Sequence, residues 1–151
     1  MIDPSFVGRS YPLTAPYEVG REKIREFADA IGDTSAACRD AEAARALGYR
    51  DVIAPPTFPI ILTLPAGWQV SDDPELGIDY TRVVHGEQRF LPVRPVTAGD
   101  QLTVAVSIDA IRSAAGNDLV TIRADVATTE DEQVCTAYGL LVVRGPDRDA
   151  S

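Results

Sequence analysis

Downstream of Tyr80 the apolar residues of this chain change period. Leu102, Val104, Val106 and Ile108 alternate with Thr103, Ala105, Ser107 and Asp109, and Val120, Ile122, Ala124 and Val126 alternate with Thr121, Arg123 and Asp125. A period of two sends successive side chains to opposite faces, so these segments predict half-buried strands. Turn-forming residues separate them at Pro95–Asp100, Ala115–Asp118 and Glu130–Glu132, and the last strand is expected from about Gln133 to Arg144. Hairpins of this kind make one antiparallel sheet.

The first half obeys a different period. Ile24, Phe27, Ala28 and Ile31 fall at i, i+3, i+4 and i+7, the stripe of an amphipathic helix that starts near Val19 and stops at Gly32. Glu22, Lys23, Arg25 and Glu26 form its solvated sides. A shorter helix is expected between Asp40, a good N-cap, and Gly48. The stretch Val52–Pro65 is apolar on every side. Thr57 can cap a helix there and Pro59 suits its first turn, where no backbone donor is needed. The expectation is a short central helix buried all round by the sheet, with a buried strand as the competing reading. Together the two halves predict one α+β domain over residues 1–151, with a frayed tail from Gly145.

Charge and cysteine usage narrow the function. The formal net charge of -9, from 14 basic and 23 acidic residues, opposes binding to phosphate backbones, so no nucleic-acid partner is expected. Arg82, Arg89 and Arg94 are the candidates for a local basic patch. Cys38 and Cys135 lie far apart in the sequence and neither belongs to a CxxC pair, while His85 is the only histidine. A structural metal site is therefore not expected, nor is a cofactor or a disulfide. Met1–Ser5 has no basic or apolar leader, and the run Ile60–Leu64 between Pro59 and Pro65 is too short to span a bilayer. The expected location is the cytoplasm, with no membrane insertion.

Several segments resemble the MaoC-like (R)-specific hydratases and dehydratases, above all the actinobacterial (3R)-hydroxyacyl-ACP dehydratase subunits. They are Phe6–Arg9, Tyr17–Phe27, Ala54–Phe58, Val84–Phe90 and Arg94–Asp100. The resemblance covers roughly residues 5 to 144 and implies a hot-dog fold, an antiparallel sheet wrapped around a central helix. It implies reversible dehydration of a 3-hydroxyacyl thioester to a trans-2-enoyl thioester, with the acyl chain carried on ACP or CoA. A base must take the α-proton and an acid must protonate the leaving hydroxyl. A backbone amide near Pro56 and Thr57 would polarise the thioester carbonyl. Some of Phe58, Ile61, Leu62 and Trp68 would line an apolar tunnel beside the central helix.

The family's hydratase motif is Gly-Asp-x-Asn-Pro-x-His, and the matching stretch is Gly32-Asp33-Thr34-Ser35-Ala36-Ala37-Cys38. Asp33 takes the place of the catalytic Asp, Cys38 stands where the His belongs, and Ser35 and Ala36 replace Asn and Pro. As a small apolar residue Cys38 has a packing role beside any catalytic one. Asp33 also suits a turn after a helix-stopping Gly. His85 lies at the start of a strand, away from the motif, as a packing or substrate-lining residue. Family members lacking the pair work as heterodimers whose other chain carries it. The chain therefore resembles a substrate-binding subunit of a dehydratase. A homodimer that binds acyl thioesters without turnover, a specialised dehydratase using Asp33, and a thioesterase stay open beside it.

Overall fold

A computed structural model of the protein describes residues 1–145. The tail expected to fray lies, beyond Gly145, outside the described residues. Five strands form one antiparallel sheet: β1 (Tyr17–Glu18), β2 (Val83–Pro92), β3 (Gln101–Ala114), β4 (Asn117–Thr128) and β5 (Gln133–Val143), in the order β1-β3-β4-β5-β2. The three helices are α1 (Arg21–Ile31), α2 (Ala41–Ala46) and α3 (Ile60–Ser71).

The alternating residues do as their period requires. Leu102, Val104, Val106, Ile108, Val120, Ala124 and Val126 are buried on the concave face of the sheet. The β3–β4 hairpin turns through Ala115 and Gly116, both at positive φ (51° and 81°), the handedness that suits a two-residue hairpin. Register slips by one residue in β3 between Ile108 and Ala110, and in β2 between His85 and Glu87. Such bulges sharpen the twist that curls a sheet.

The helix termini follow local chemistry. Gly32 ends α1 in the left-handed region (φ 73°), and Asp40 caps α2 by accepting from the Glu42 amide at 2.8 Å. Ile24 and Ala28 turn inward from α1, and the Phe27 ring meets Phe58 edge-on with centroids 5.4 Å apart.

The central helix departs from expectation in two respects. It begins at Ile60 and not near Thr57, and it runs through Pro65 to Ser71. Pro55, Pro56 and Pro59 supply no amide hydrogens, so residues 55–59 close as a turn, with Phe58 N–H donating to Pro55 O at 2.9 Å. Pro65 is tolerated on an exposed face of the helix. Nor is the helix buried all round: Thr63, Ala66, Gly67 and Val70 face the sheet, while Leu64 and Trp68 are 44% and 50% exposed.

The two edges of the sheet are treated differently. The arm before β1 runs along β3: Gly8 N–H donates to Ile108 O (2.8 Å), Tyr11 N–H to Val106 O (2.9 Å) and Thr14 N–H to Val104 O (3.2 Å). Tyr11 Oη and Arg9 Nε both reach Asp73 Oδ2, at 2.9 and 3.1 Å, and pin this arm to the end of α3. That edge is sealed. On the other side β2 pairs only with β5, and its outer edge has no neighbour among the described residues.

Of the arginines considered for a basic patch, Arg94 is bound to Asp100 and Glu132, and Arg89 lies over the Tyr138 ring at 4.7 Å. Asp100 is the hub of a clamp. Its side chain is 2% exposed and accepts from Arg94 Nη1 (2.8 Å), the Thr97 amide (2.8 Å) and Arg50.

Burial pushes the Asp100 carboxyl up, but the bonds from Arg94 and Thr97 and the charge of Arg50 outweigh it and hold it below the usual value. A depressed folded pKa means stabilisation that is complete above the unfolded value, about 3.9, and lost as pH falls through the folded one. Asp100→Ala is expected to cost about 3 kcal/mol, because it leaves the Thr97 amide without its acceptor and the partly buried Arg94 with Glu132 alone. In urea titrations the wild type should lose stability below pH ~4 more steeply than Asp100→Ala. Parallel acid limbs would contradict this role.

Candidate active site

Most of the candidate residues line one of two separate cavities, one before the start of α3 and one beneath it. The first, of about 420 Å³, is lined by Asp33, Ser35, Cys38, the Ile53–Pro56 segment, Pro59, the Pro92–Val96 segment and Cys135. Its walls are tied by the main chain: Ile53 N–H donates to Ala37 O (3.1 Å) and Ala54 N–H to Val96 O (2.7 Å). Asp33, Cys38 and Pro56 thus meet in one place, although Asp33 and Pro56 lie far apart in sequence.

The motif segment keeps a well-defined backbone. Asp33 Oδ1 accepts from the Ser35 amide at 2.9 Å, and Arg39 Nη2 donates to Asp33 O at 2.5 Å. Residues Ala36–Cys38 then form a 3₁₀ turn, with Ser35 at ψ 127° before it. One oxygen of the Asp33 carboxylate is therefore committed to a local turn. Burial pushes the Cys38 thiol above its usual value and the charge of Asp33 adds to this; a hydrogen bond with Ser35 and the nearby Arg39 oppose it. A thiol held in its neutral form is a poor base and a poor nucleophile.

The second cavity, about 120 Å³, lies between α3 and the sheet. Trp68, Tyr80 and His85 stand at its exposed side, and Gly67, Ala124, Ala137 and Gly139 line it where larger side chains would otherwise fill the space. A Cβ added to Gly67 would first meet Ile122 Cδ1, at 3.9 Å. His85 Nε2 lies 2.9 Å from Glu87 O, across the β2 bulge. The only imidazole of the chain thus faces a different cavity from Asp33.

The remaining expected liners are elsewhere. Phe58 is fully buried against Phe27 and lines neither cavity. Ile61 and Leu62 border a shallow groove with Pro12–Tyr17 on another side of α3. A single tunnel lined by Phe58, Ile61, Leu62 and Trp68 does not form, because successive residues of a helix point to different sides. Thr57 is exposed, and its N–H has no acceptor among the described residues, whereas Pro56 has none to offer. The small residues Gly67, Ala137 and Gly139 were the missed signal: they interrupt the bulky inward positions of α3 and β5. No group of three or more His, Cys, Asp or Glu side chains among the described residues is placed to hold a metal ion.

A curled antiparallel sheet laid over one helix defines a MaoC-like domain of the hot-dog fold. The chain belongs to the family described as FAS1-like, dehydratase domain region, which it matches over residues 5–137. It is 60% identical over 146 residues to a UPF0336 protein of Streptomyces coelicolor, covering 97% of each chain. A UPF0336 protein of Saccharopolyspora erythraea is 56% identical over 148 residues, covering 98% of this chain and 95% of that one.

Among solved structures, a MaoC-like dehydratase superposes with a TM-score of 0.87 at 35% identity. The match covers 95% of this chain but 43% of that one, so this chain spans less than half its length. The C-terminally truncated HadBC (3R-hydroxyacyl-ACP dehydratase) complex from Mycobacterium tuberculosis gives a TM-score of 0.81 at 34% identity, covering 91% and 96% of the two chains.

The state of Cys38 is directly measurable. Iodoacetamide labelling followed by mass spectrometry is expected to modify Cys38 at least ~10-fold more slowly than glutathione at neutral pH, with the rate still rising at alkaline pH after that of glutathione has levelled off. Labelling faster than glutathione would reveal an activated thiolate.

Proposed function

We propose that this chain is the acyl-binding subunit of a (3R)-hydroxyacyl-thioester dehydratase, equally an enoyl-thioester hydratase, whose acid–base pair comes from a second hot-dog subunit. The observation that carries this reading is the separation of Asp33 from any imidazole: the motif cavity holds Asp33 and Cys38, and His85 faces the other one. Dehydration moves two protons. A base removes the α-proton while an acid protonates the β-hydroxyl, which leaves as water, so one positioned group cannot complete the cycle. The substrate is an acyl thioester on ACP or CoA.

The open edge of β2 supports a paired assembly. An exposed strand edge is a template for another strand, and a subunit docked there would extend the sheet. Val83, His85 and Gln88 of that same strand line the cavity under α3. A partner seated on β2 would lie beside its mouth and cover the exposed Trp68 and Tyr80. In this arrangement the channel of this chain holds the acyl group and the partner's residues face the thioester end. The similarity to HadBC, named as a complex, points the same way.

The isolated chain is expected to show no hydration of enoyl thioesters, followed by the loss of their ultraviolet absorbance. Addition of a subunit with the intact motif should restore it. Asp33→Asn in this chain should leave the complex's turnover within about twofold, whereas losing a true general base costs roughly 10²–10⁴. Turnover by the unmodified chain alone would overturn the proposal.

The constructive variant is Ser35→Asn, Ala36→Pro and Cys38→His together. The backbone accepts it: Ser35 is already extended, as a residue before proline must be, and Ala36 N–H donates to no acceptor among the described residues. Cys38 lines the cavity, which gives an imidazole room. Hydratase activity gained by this variant is the expected result.

A further inference from the structure

Thr63 is the anomaly of the channel under α3. It is 6% exposed and lines the cavity, and its Oγ1 is the one buried side-chain polar atom without a hydrogen-bond partner among the described residues. A helical Thr ordinarily satisfies its hydroxyl on the carbonyl one turn back, and here that bond is not made. An unmet buried hydroxyl is destabilising, and a Val of nearly the same shape would remove the defect. Gln88 lines the same cavity and lies over Gly139, whose missing Cβ would sit 3.3 Å from Gln88 Oε1. Gln88 itself is half-buried.

The other walls are apolar or small: Gly67, Ile122, Ala124, Ala137 and Leu141. Polar groups placed sparsely in such a lining fix the position of a ligand's own polar atom. Thr63 is buried while Trp68, Tyr80 and His85 form the exposed side, so its hydroxyl lies at depth and not at the mouth. A χ1 rotation exchanges its hydroxyl and methyl without moving the helix.

We infer that Thr63 is a specificity-determining residue of the channel, and that the acyl chain bound there carries a hydroxyl or carbonyl oxygen beyond its thioester end. This rests on the acyl-binding role proposed above. The Thr63 hydroxyl donates to, or accepts from, that oxygen, and Gln88 supplies a second polar contact. A saturated chain leaves the hydroxyl unmet, and an oxygenated chain satisfies it.

The test is calorimetric titration of the protein with acyl-CoAs of one chain length: saturated, 3-hydroxy, and hydroxylated at successive positions further along. One of the further-hydroxylated isomers is expected to bind about tenfold more tightly than the saturated chain, and Thr63→Val should abolish that preference while keeping affinity for the saturated one. Equal binding across the series, or a preference unchanged in Thr63→Val, would overturn the inference and leave the acyl-binding role standing. Failure of every acyl-CoA to bind would instead overturn that role, and the inference with it. The unliganded Thr63→Val variant should melt at the wild-type temperature or above. A clear fall in melting temperature would show that the hydroxyl serves the fold, and would refute its assignment to a ligand.

Discussion

The contact between α3 and the concave face of the sheet governs both the fold and the site. α3 turns Thr63, Ala66, Gly67 and Val70 toward β3 and β4, so three of its four buried positions are small. Small residues bring the helix axis close to the sheet and leave its outer side, Leu64 and Trp68, uncovered by the chain itself. Where Gly67 faces Ala124, Ala137 and Gly139 the two layers do not fill the space between them. Protein interiors are otherwise close-packed, so a gap lined by glycine and alanine at positions flanked by Val120 and Val126 is the space to which the proposal assigns the acyl chain.

Around this contact the chain fixes one side and leaves the other open. The N-terminal arm seals β3, and the Arg9–Tyr11–Asp73 cluster ties that arm to the end of α3. The Asp100 clamp holds the strap that walls the motif cavity, through Arg94 and the Thr97 amide. Nothing comparable guards β2 among the described residues. The rigid side carries the scaffold, and the open side carries the residues that line the channel. In the proposed assembly, a partner that completes the sheet at β2 would also complete the site.

Much of the architecture was legible because it follows from local chemistry. The alternation in β3 and β4, the stripe of α1, and the caps Gly32 and Asp40 each specify their element without help from the rest of the chain. The start of α3 was not, because three prolines in Pro55–Pro59 remove donors that a helix cap would use, and the turn they form has no periodic signal. Its exposed Leu64 was misjudged for a general reason: hydrophobicity records that a residue needs cover, not which chain provides it. The N-terminal arm, broken by Pro4, Pro12 and Pro16, has no periodicity to betray that it seals an edge. That Asp33 and Cys38 share a cavity agrees with their closeness in sequence. That His85 faces a different cavity depends on the β2 bulge and the strand order, which spacing alone does not encode.

The claim at the centre is that the acyl chain lies in this subunit, under α3, while the proton-transfer groups belong to its partner. Photolabelling of the assembled complex addresses it most directly, using an acyl thioester with a diazirine at the far end of the chain and mapping the adducts by peptide mass spectrometry. Label is expected on this chain within Thr63–Ser71 of α3 and Ala137–Leu141 of β5. Label confined to the partner, or to the Asp33–Cys38 and Pro92–Val96 walls of the motif cavity, would contradict it.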